Sequence, residues 1–364
     1  QQVSSAASDV YKRQVVGVGD MGLKHIDAIK KTKGAVLSAV VDLKENSFIK
    51  KINSNFYTSI RDMFKFEKID GVIVATPNAS HFRDSLEVIK HKCTVLIEKP
   101  ITTNSKDTEK LISVAKKMKV EILVGHHRRH NPLMQKAKEL IDNNMLGKVR
   151  TININCQMYK PDNYFKQAVW KKKDGAGPVL VNLIHDLDLM NFLFGRIIKV
   201  FSISQNSLRG FKNEDVSGAV LEFKSGIIAT FLSSDSVVSP WSWELTAREN
   251  EIYPSTEESS YLIGGTKASM SLPNLKLWQH SKNGHWVTPI SSTNYPYKFS
   301  DPLVNQIEHF CNVIKKKEKP IITASIAKDT IEVIEAIKLS SKTKKLVELK
   351  SVSYTHLTLP TTPV

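Results

Sequence analysis

A glycine-rich segment near the start of the chain constrains the fold more than any other feature. Gly17, Gly19 and Gly22 form a GxGxxG pattern between a predicted strand that begins at Val15 and a predicted helix over residues 21–31. The first glycine permits a tight turn, the second lets backbone N–H groups approach a pyrophosphate, and the third lets the helix pack on the strand. The pattern predicts a dinucleotide-binding turn with contacts from Gly17, Gly19, Asp20, Met21 and Gly22.

An acidic residue follows at the spacing that such a turn requires. Asp42 lies 20 residues after Gly22, at the end of a predicted strand over residues 36–41. A carboxylate there can accept hydrogen bonds from the 2′- and 3′-hydroxyls of a ribose, and it repels a 2′-phosphate. We therefore expect NAD as the cofactor, while Lys44 leaves NADP open. The alternative is a glycine-rich turn with a coincidental acid.

Short apolar strands alternate with amphipathic helices over the first third of the chain. This alternation predicts βαβ units and a doubly wound parallel sheet. The predicted strands cover residues 36–41, 71–75, 94–98 and 121–124, and the predicted helices cover residues 21–31, 81–90 and 106–119. An α/β Rossmann domain is therefore predicted over residues 15–124.

The pattern changes after Gly125. Closely spaced strands with few helices between them indicate an antiparallel sheet. The strand-like runs are residues 149–157, 197–203, 219–223, 227–232, 259–263 and 268–272, and the predicted helices are residues 132–141, 179–194, 303–315 and 326–341. Residues 125–350 are therefore predicted to form an α+β domain with a large, open, mainly antiparallel sheet.

The two ends differ from the rest of the chain. Residues 1–14 and 351–364 are rich in Ser and Thr, lack periodicity, and join periodic sequence abruptly. Both segments resemble translated adapter sequence, so they are interpreted as a non-native leader and a non-native tail and excluded from the fold prediction.

The composition restricts partners and location. The chain has 364 residues with 52 Lys and Arg against 36 Asp and Glu, a net charge of +16. Because only nine of the basic residues are Arg, solvated lysines explain this charge better than a nucleic-acid partner does. The three cysteines lie far apart without metal-ligand spacing, and no apolar run approaches the length of a membrane span. We expect a cytoplasmic protein with no metal, no nucleic-acid partner and no membrane partner.

Two polar clusters follow predicted parallel strands. The first contains Thr76, Pro77, Asn78 and His81, and the second contains Glu98 and Lys99 before Pro100. Ligands of such sheets bind beyond the carboxyl ends of the strands, so all six residues are predicted to contact the cofactor. Asn78 and Ser80 could instead cap the helix that begins at His81, or do both. Next to a cationic nicotinamide the pKa of Lys99 should fall, which suits proton transfer, although a surface lysine is equally compatible with the position.

A predicted helix of the second domain carries a third cluster. Spacings of three place Asn182, His185 and Asp188 on one helical face among apolar residues. A histidine with an acid one turn away is a candidate general base, but a single histidine on an apolar helix is more often structural. Trp243, in the segment Pro240–Glu244, suits the apolar face of a ring-shaped substrate or, alternatively, packing in a sheet or subunit interface.

The ordered set of motifs resembles one enzyme family. GxGxMG with a following histidine, TPNxxH, EKP, GxxRR and a helix with HxxD occur in this order, and together they resemble the Gfo/Idh/MocA oxidoreductases over residues 15–349. The resemblance implies a Rossmann domain and a substrate-binding domain whose sheet makes homo-oligomer contacts. It also implies that Lys99 and His185 are catalytic and that Arg128 and Arg129 line the substrate cleft.

One departure from the family pattern concerns the helix before His185. Many members carry an aspartate four residues before the histidine, where this chain has Val181. Valine cannot bind a substrate hydroxyl, so the role is vacant unless Asn182 or Asp188 fills it.

The main hypothesis is an NAD(P)-dependent dehydrogenase that acts on a secondary hydroxyl of a sugar, sugar derivative or cyclic polyol. The alternative is a non-catalytic NAD-binding sensor on the same fold.

Overall fold

The computed structural model describes residues 11–281 and 284–349. Its first domain is built on a six-stranded, wholly parallel sheet with the order β3-β2-β1-β4-β5-β6. The strands are β1 (Tyr11–Val16), β2 (Ala35–Val41), β3 (Asn55–Tyr57), β4 (Gly71–Val74), β5 (Thr94–Ile97) and β6 (Ile122–Val124). The helices are α1 (Asp20–Lys31), α2 (Ile60–Phe66), α3 (His81–Lys90) and α4 (Ser105–Met118). The predicted doubly wound sheet is confirmed, while β3 and α2 were not predicted.

The first strand begins earlier than predicted. It starts at Tyr11 instead of Val15, so part of the segment interpreted as a leader belongs to the sheet. Arg13 and Gln14 are fully buried there, and Arg13 lies in register with Leu37 of β2 and Gly71 of β4. The rest of the predicted leader, residues 1–10, and the predicted tail lie outside the described residues.

The second sheet has nine strands in the order β14-β13-β12-β11-β7-β10-β9-β8-β15. All of its pairs are antiparallel except β7 with β10, which is parallel. The strands are β7 (Val149–Gln157), β8 (Ile197–Asn206), β9 (Glu214–Phe223), β10 (Ile228–Ser234), β11 (Tyr261–Gly265), β12 (Ala268–Leu272), β13 (Lys276–His280), β14 (Ile290–Asn294) and β15 (Val347–Glu348). The predicted large, mainly antiparallel sheet is confirmed, and the two strands β13 and β14 extend it.

Helices cover one face of this sheet and connect it to the first domain. They are α5 (Pro132–Asp142), α6 (Asp162–Lys166), α7 (Ile184–Phe194), α8 (Trp243–Thr246), α9 (Pro302–Ile314) and α10 (Ala324–Thr343), with a π-helical turn over Val179–Leu183 before α7. Helix α10 packs on β8 and also on α4, and α9 packs on α1. Helix α10 therefore joins the two domains, and Lys99 after β5 contacts Val181 in the π-helical turn before α7.

Candidate active site

The glycine-rich turn leaves open space at one of its three glycines. Gly17 has a φ of +88°, and a Cβ there would lie 2.7 Å from the carbonyl oxygen of Ala75. A Cβ on Gly22 would lie 2.0 Å from the carbonyl oxygen of Gly17. A Cβ on Gly19, by contrast, would meet no atom within 4 Å. Gly17 and Gly22 are thus required by the protein's own packing, while the space at Gly19 fits a bound phosphate group.

The acid at the end of β2 lies directly beside this turn. Asp42 Oδ2 accepts a hydrogen bond of 2.8 Å from the backbone N–H of Val18, and Oδ1 accepts one of 2.7 Å from Leu43. The side chain is half-buried, so part of the carboxylate still faces solvent. Asp42 lies at the carboxyl end of β2, where the acid of a dinucleotide-binding fold accepts hydrogen bonds from the ribose hydroxyls.

The cluster after β4 is held together by His81. The Nε2 atom of His81 lies 2.7 Å from the carbonyl oxygen of Thr76, and Nδ1 lies 2.7 Å from that of Pro100. His81 is buried and joins two loops, and its contact with the cofactor stays a prediction. The side chain of Ser80 makes no capping hydrogen bond to α3, and the 3₁₀ turn at Asn78 has no side-chain cap either. The capping alternative is therefore wrong, and the buried Oγ1 of Thr76 has no hydrogen-bond partner within residues 11–281 and 284–349.

Glu98 directs both carboxylate oxygens into the protein. Oε1 lies 2.7 Å from Nε2 of His25 on α1, and Oε2 accepts a hydrogen bond of 3.0 Å from the backbone N–H of Lys99. Burial opposes ionisation of Glu98, but the hydrogen bond from His25 and the charges of His25, His127 and Lys99 outweigh it and lower its pKa to about 2. The structure therefore places Glu98 between His25 and the backbone of Lys99, and its contact with the cofactor stays a prediction.

Lys99 reaches from the end of β5 to the helix of the second domain. Its Nζ donates a hydrogen bond of 3.1 Å to the carbonyl oxygen of Val181. Burial lowers the pKa of Lys99 to about 8; Glu98 and Glu244 oppose this shift, and Arg128 and Lys160 add to it. A lysine that titrates close to neutral pH can donate or accept a proton under ordinary conditions.

His185 lies at the start of α7, within reach of the charge of Lys99. Its ring packs edge-on against those of His127 and His126, with centroids 5.5 Å and 6.2 Å away. Burial is the main cause that holds the pKa of His185 well below its usual range, and the charges of Lys99 and Arg128 add to it. The imidazole is therefore neutral, and its buried Nδ1 has no hydrogen-bond partner among the described residues.

The expected pairing of His185 with Asp188 is wrong. Asp188 instead binds Arg129 in a bidentate ion pair, with distances of 2.7 Å from Nε to Oδ2 and from Nη2 to Oδ1. Both side chains are buried, and the guanidinium also lies over the ring of Phe192. Because each charge is satisfied by the other, the pair has a structural role, and the prediction that Arg129 and Asp188 contact the substrate stays a prediction.

Arg128 has a different environment from its neighbour. Its Nη2 donates a hydrogen bond of 2.9 Å to Glu244 Oε1, and its Nη1 lies 3.3 Å from Asp186 Oδ1. The ring centroid of Trp243 lies 5.2 Å from the guanidinium carbon of Arg128, and Nε1 of Trp243 donates a hydrogen bond to Glu249. Only 2% of Trp243 is exposed, so it supports Arg128 from below. This burial fits the packing alternative for Trp243, and its contact with the substrate stays a prediction.

A second lysine extends this network to the helix before His185. Lys160 donates a hydrogen bond of 2.6 Å to Asn182 Oδ1, and Asn182 Nδ2 lies 3.5 Å from Glu244 Oε1. Lys160 is buried, which lowers its pKa, and the ring of Tyr164 lies 5.2 Å from its Nζ. Asn182 thus lies in one hydrogen-bonded series with Lys160 and Glu244, while Asp188 pairs with Arg129.

Comparison with known sequences decides the family. A profile described as an oxidoreductase family, NAD-binding Rossmann fold, matches residues 12–126, and its partner, the C-terminal alpha/beta domain of that family, matches residues 138–349. The chain belongs to the Gfo/Idh/MocA oxidoreductase family. It is therefore an oxidoreductase with an NAD-binding Rossmann domain, and the open space at Gly19 and the half-buried Asp42 fit that cofactor.

Three similar proteins illustrate the range of this family. The chain is 30% identical to oxidoreductase P35 from Formosa agariphila over 225 residues, 58% of this chain and 69% of that protein. It is 21% identical to the myo-inositol 2-dehydrogenase of Thermotoga maritima over 353 residues, 93% and 98% of the two chains. The WlbA dehydrogenase from Bordetella pertussis, solved in complex with NADH and UDP-GlcNAcA, matches with a TM-score of 0.76 at 19% identity over 94% of this chain and 99% of that one. This last likeness shows a shared fold.

Sequence reasoning missed three residues that lie in the hydrogen-bonded networks described above. Lys160 is one of 43 lysines and has no local pattern that distinguishes it. Glu244 stands next to Trp243, and His127 belongs to the segment that contains Arg128, so both had a nearby signal. No group of three or more metal-ligating side chains occurs among residues 11–281 and 284–349, and in the same ranges no helix is long and apolar enough to cross a membrane.

Proposed function

We propose that this protein is an NAD(P)-dependent dehydrogenase that interconverts a secondary hydroxyl and a ketone on a sugar, sugar derivative or cyclic polyol. The observation that carries the proposal is the contact of Lys99 with the carbonyl oxygen of Val181, which precedes His185 by four residues. Lys99 follows β5 of the Rossmann domain and donates to Val181, four residues before His185 on the helix of the second domain. The basic Nζ of Lys99 and the neutral imidazole of His185 are therefore both held at the start of this helix.

Lys99 acts as the hydrogen-bond donor to the reacting oxygen. Below its pKa of about 8 the side chain is an ammonium group, which stabilises negative charge that develops on the oxygen as the hydroxyl proton leaves. The carbonyl of Val181 holds the ammonium by one hydrogen bond and leaves its other two protons for ligands.

His185 receives the hydroxyl proton. Burial and the neighbouring cations keep the imidazole neutral, so it can accept a proton, and the same surroundings favour its rapid loss afterwards. Bound nicotinamide supplies the hydride acceptor. The turn at Gly19 and the carboxylate of Asp42 would hold the pyrophosphate and the ribose of that cofactor.

The polar lining supports a substrate with several hydroxyl groups. A continuous hydrogen-bonded series lies beside Val181 and consists of Lys160, Asn182, Glu244 and Arg128. Such a series offers both donors and acceptors at fixed positions, which suits the adjacent hydroxyls of a sugar or polyol. The 2-dehydrogenase from Thermotoga maritima is named for such a substrate, myo-inositol.

A cofactor-reduction screen tests this proposal. Aldoses, inositols, sugar acids, amino sugars and cyclic diols would each be supplied with NAD and NADP in parallel, and formation of the reduced nicotinamide would be followed by absorbance. We expect reduction with at least one member, and faster reduction with NAD because Asp42 repels a 2′-phosphate. Tight NADH binding with no hydride transfer across the whole panel would instead favour the sensor hypothesis.

We also propose that the chain forms a homo-oligomer through the open face of the nine-stranded sheet. On this face Phe201 of β8 lies in register with Val220 of β9, and Leu262 of β11 lies in the same row. All three are exposed, together with Ile203 and Leu232. A row of exposed apolar side chains is typical of a subunit interface. Light scattering after gel filtration should give a multiple of the 40.9 kDa chain mass, and a Val220→Lys variant should reduce it.

A further inference from the structure

A buried pair joins the dinucleotide-binding helix to the loop that carries Lys99. His25 lies on α1, which follows the glycine-rich turn, and its Nε2 donates to Oε1 of Glu98 at 2.7 Å. Neither side chain has appreciable contact with solvent. Gly125 packs closely against Glu98, because a Cβ at position 125 would lie 2.7 Å from the same Oε1. The carboxylate of Glu98 therefore has no room to turn away from His25.

The other oxygen of Glu98 acts on Lys99 directly. Oε2 accepts a hydrogen bond of 3.0 Å from the backbone N–H of Lys99, which fixes the loop immediately before Pro100. The negative charge of Glu98 also opposes the effect of burial and raises the pKa of Lys99 toward its value of about 8. Orientation and charge both depend on an ionised Glu98, and a buried carboxylate stays ionised only where a donor or cation meets it.

We propose that His25 is a positioning residue that, through Glu98, holds the Lys99 ammonium in place and keeps it charged. This inference rests on the proposed role of Lys99, but it concerns a residue that lies outside the substrate cleft. It also implies that the helix of the cofactor-binding turn and the proton-handling lysine are parts of one rigid unit. A displacement of α1 would reach Lys99 through two hydrogen bonds.

The other charged groups that act on Lys99 and Glu98 have hydrogen-bond partners of their own, which do not include His25. Besides Glu98, the charges that act on Lys99 include those of Arg128, Lys160 and Glu244, and Glu98 is also influenced by His127. Those four side chains hydrogen-bond to partners in the second domain, in the clusters around Glu244 and Glu249. A change in Lys99 after substitution of His25 can therefore be assigned to the loss of the His25 contact.

The experiment measures the titration of Lys99 without any substrate. Trace acetic anhydride labels the free amine of each lysine, and mass spectrometry of the Lys99 peptide against pH gives the midpoint of its deprotonation. The full chain would be compared with the variants His25→Leu, His25→Gln and Glu98→Gln, and with His91→Gln as the control at the surface end of α3. His25→Gln retains a side-chain N–H that can donate to Glu98, whereas His25→Leu does not.

The coupling predicts a specific order of midpoints. In His25→Leu and Glu98→Gln the midpoint of Lys99 should fall by roughly one pH unit, a tenfold rise in the free-amine fraction at a given pH below it. His25→Gln should stay closer to the unmodified chain than His25→Leu, and His91→Gln should match it. Lower melting temperatures with an unchanged Lys99 midpoint would overturn the proposal, because a purely structural role would give that result. If His25→Leu does not fold, Glu98→Gln decides the question. Because no turnover is measured, a chain that reduces no NAD but shows the shift contradicts only the proposed function.

Discussion

The Nζ atom of Lys99 lies 3.1 Å from the carbonyl oxygen of Val181, a residue whose side chain has no hydrogen-bonding atom. The family pattern has an aspartate at this position. Here the backbone carbonyl of Val181 accepts the hydrogen bond from Lys99. The π-helical turn over Val179–Leu183 is the local feature that leads into α7 at this point. A valine at position 181 is therefore compatible with a held lysine, and Asn182 adds the polar side chain one residue later.

The titration of Lys99 should set an alkaline limit on substrate oxidation. Its pKa is lowered to about 8, so the ammonium form dominates below that pH and is lost as the pH rises through it. We expect kcat/KM for hydroxyl oxidation to decline above about pH 8 at saturating cofactor. A Lys99→Arg variant, whose guanidinium stays ionised, should be slower but lack this decline. The same alkaline limit in both proteins would assign it to another group.

Two glycine substitutions should separate cofactor binding from folding. Gly19 has a φ of −82° and free space beside it, so Gly19→Ala should fold normally and weaken NADH binding by at least roughly tenfold, since the methyl group fills the phosphate space. Gly22→Ala places a Cβ 2.0 Å from the carbonyl oxygen of Gly17 and should destabilise the fold. NADH fluorescence titration and thermal unfolding measure the two effects. Unchanged NADH affinity in Gly19→Ala would contradict this location for the phosphates.

The buried pair of Arg129 and Asp188 should contribute to stability and not to recognition. Removing one partner leaves an uncompensated buried charge, so Arg129→Met should lower the free energy of unfolding by about 3–5 kcal/mol. The double variant Arg129→Met with Asp188→Leu should recover part of this loss. Urea denaturation with a two-state analysis provides the measurement. A loss in Arg129→Met that the double variant deepens would show that the charges act separately.

Lys160 should act on substrate binding and leave the cofactor alone. Lys160 donates to Asn182, and Asn182 in turn contacts Glu244. The glycine-rich turn belongs to the other domain. Lys160→Met should raise the KM of the substrate by roughly tenfold, because a buried hydrogen-bond donor is lost, and NADH affinity should not change. Lys166→Met, at an exposed position on α6, serves as the matched control. Equal KM values for the two variants would remove Lys160 from the substrate site.

The sequence was sufficient for the fold because its signals were local. The glycine turn, the apolar strands and the period-two segment each specify an element within about ten residues. The site was harder, because its pairings depend on side chains far apart in the chain. HxxD spacing suggested that Asp188 serves His185, but Arg129, 59 residues earlier, occupies that carboxylate. Lys160 could not be found from its neighbours in sequence, since only the fold brings it and Glu244 to Asn182.

The start of the first strand shows a different limit. Arg13 and Gln14 are polar, and their composition matches the preceding segment better than the strand. Burial in the sheet overrides this local signal, because β2 and β4 flank the strand on both sides and complete its backbone hydrogen bonds.

Turnover of the Lys99→Met and His185→Ala variants tests the central claim most directly. Both would be assayed for NAD reduction with the first substrate that the screen identifies, after NADH titration has shown that each still binds cofactor. The account predicts that each substitution lowers kcat by roughly 10²–10⁴-fold while the cofactor Kd stays within about threefold of the unmodified chain. Full turnover in either variant would contradict the assignment of proton handling to these two residues.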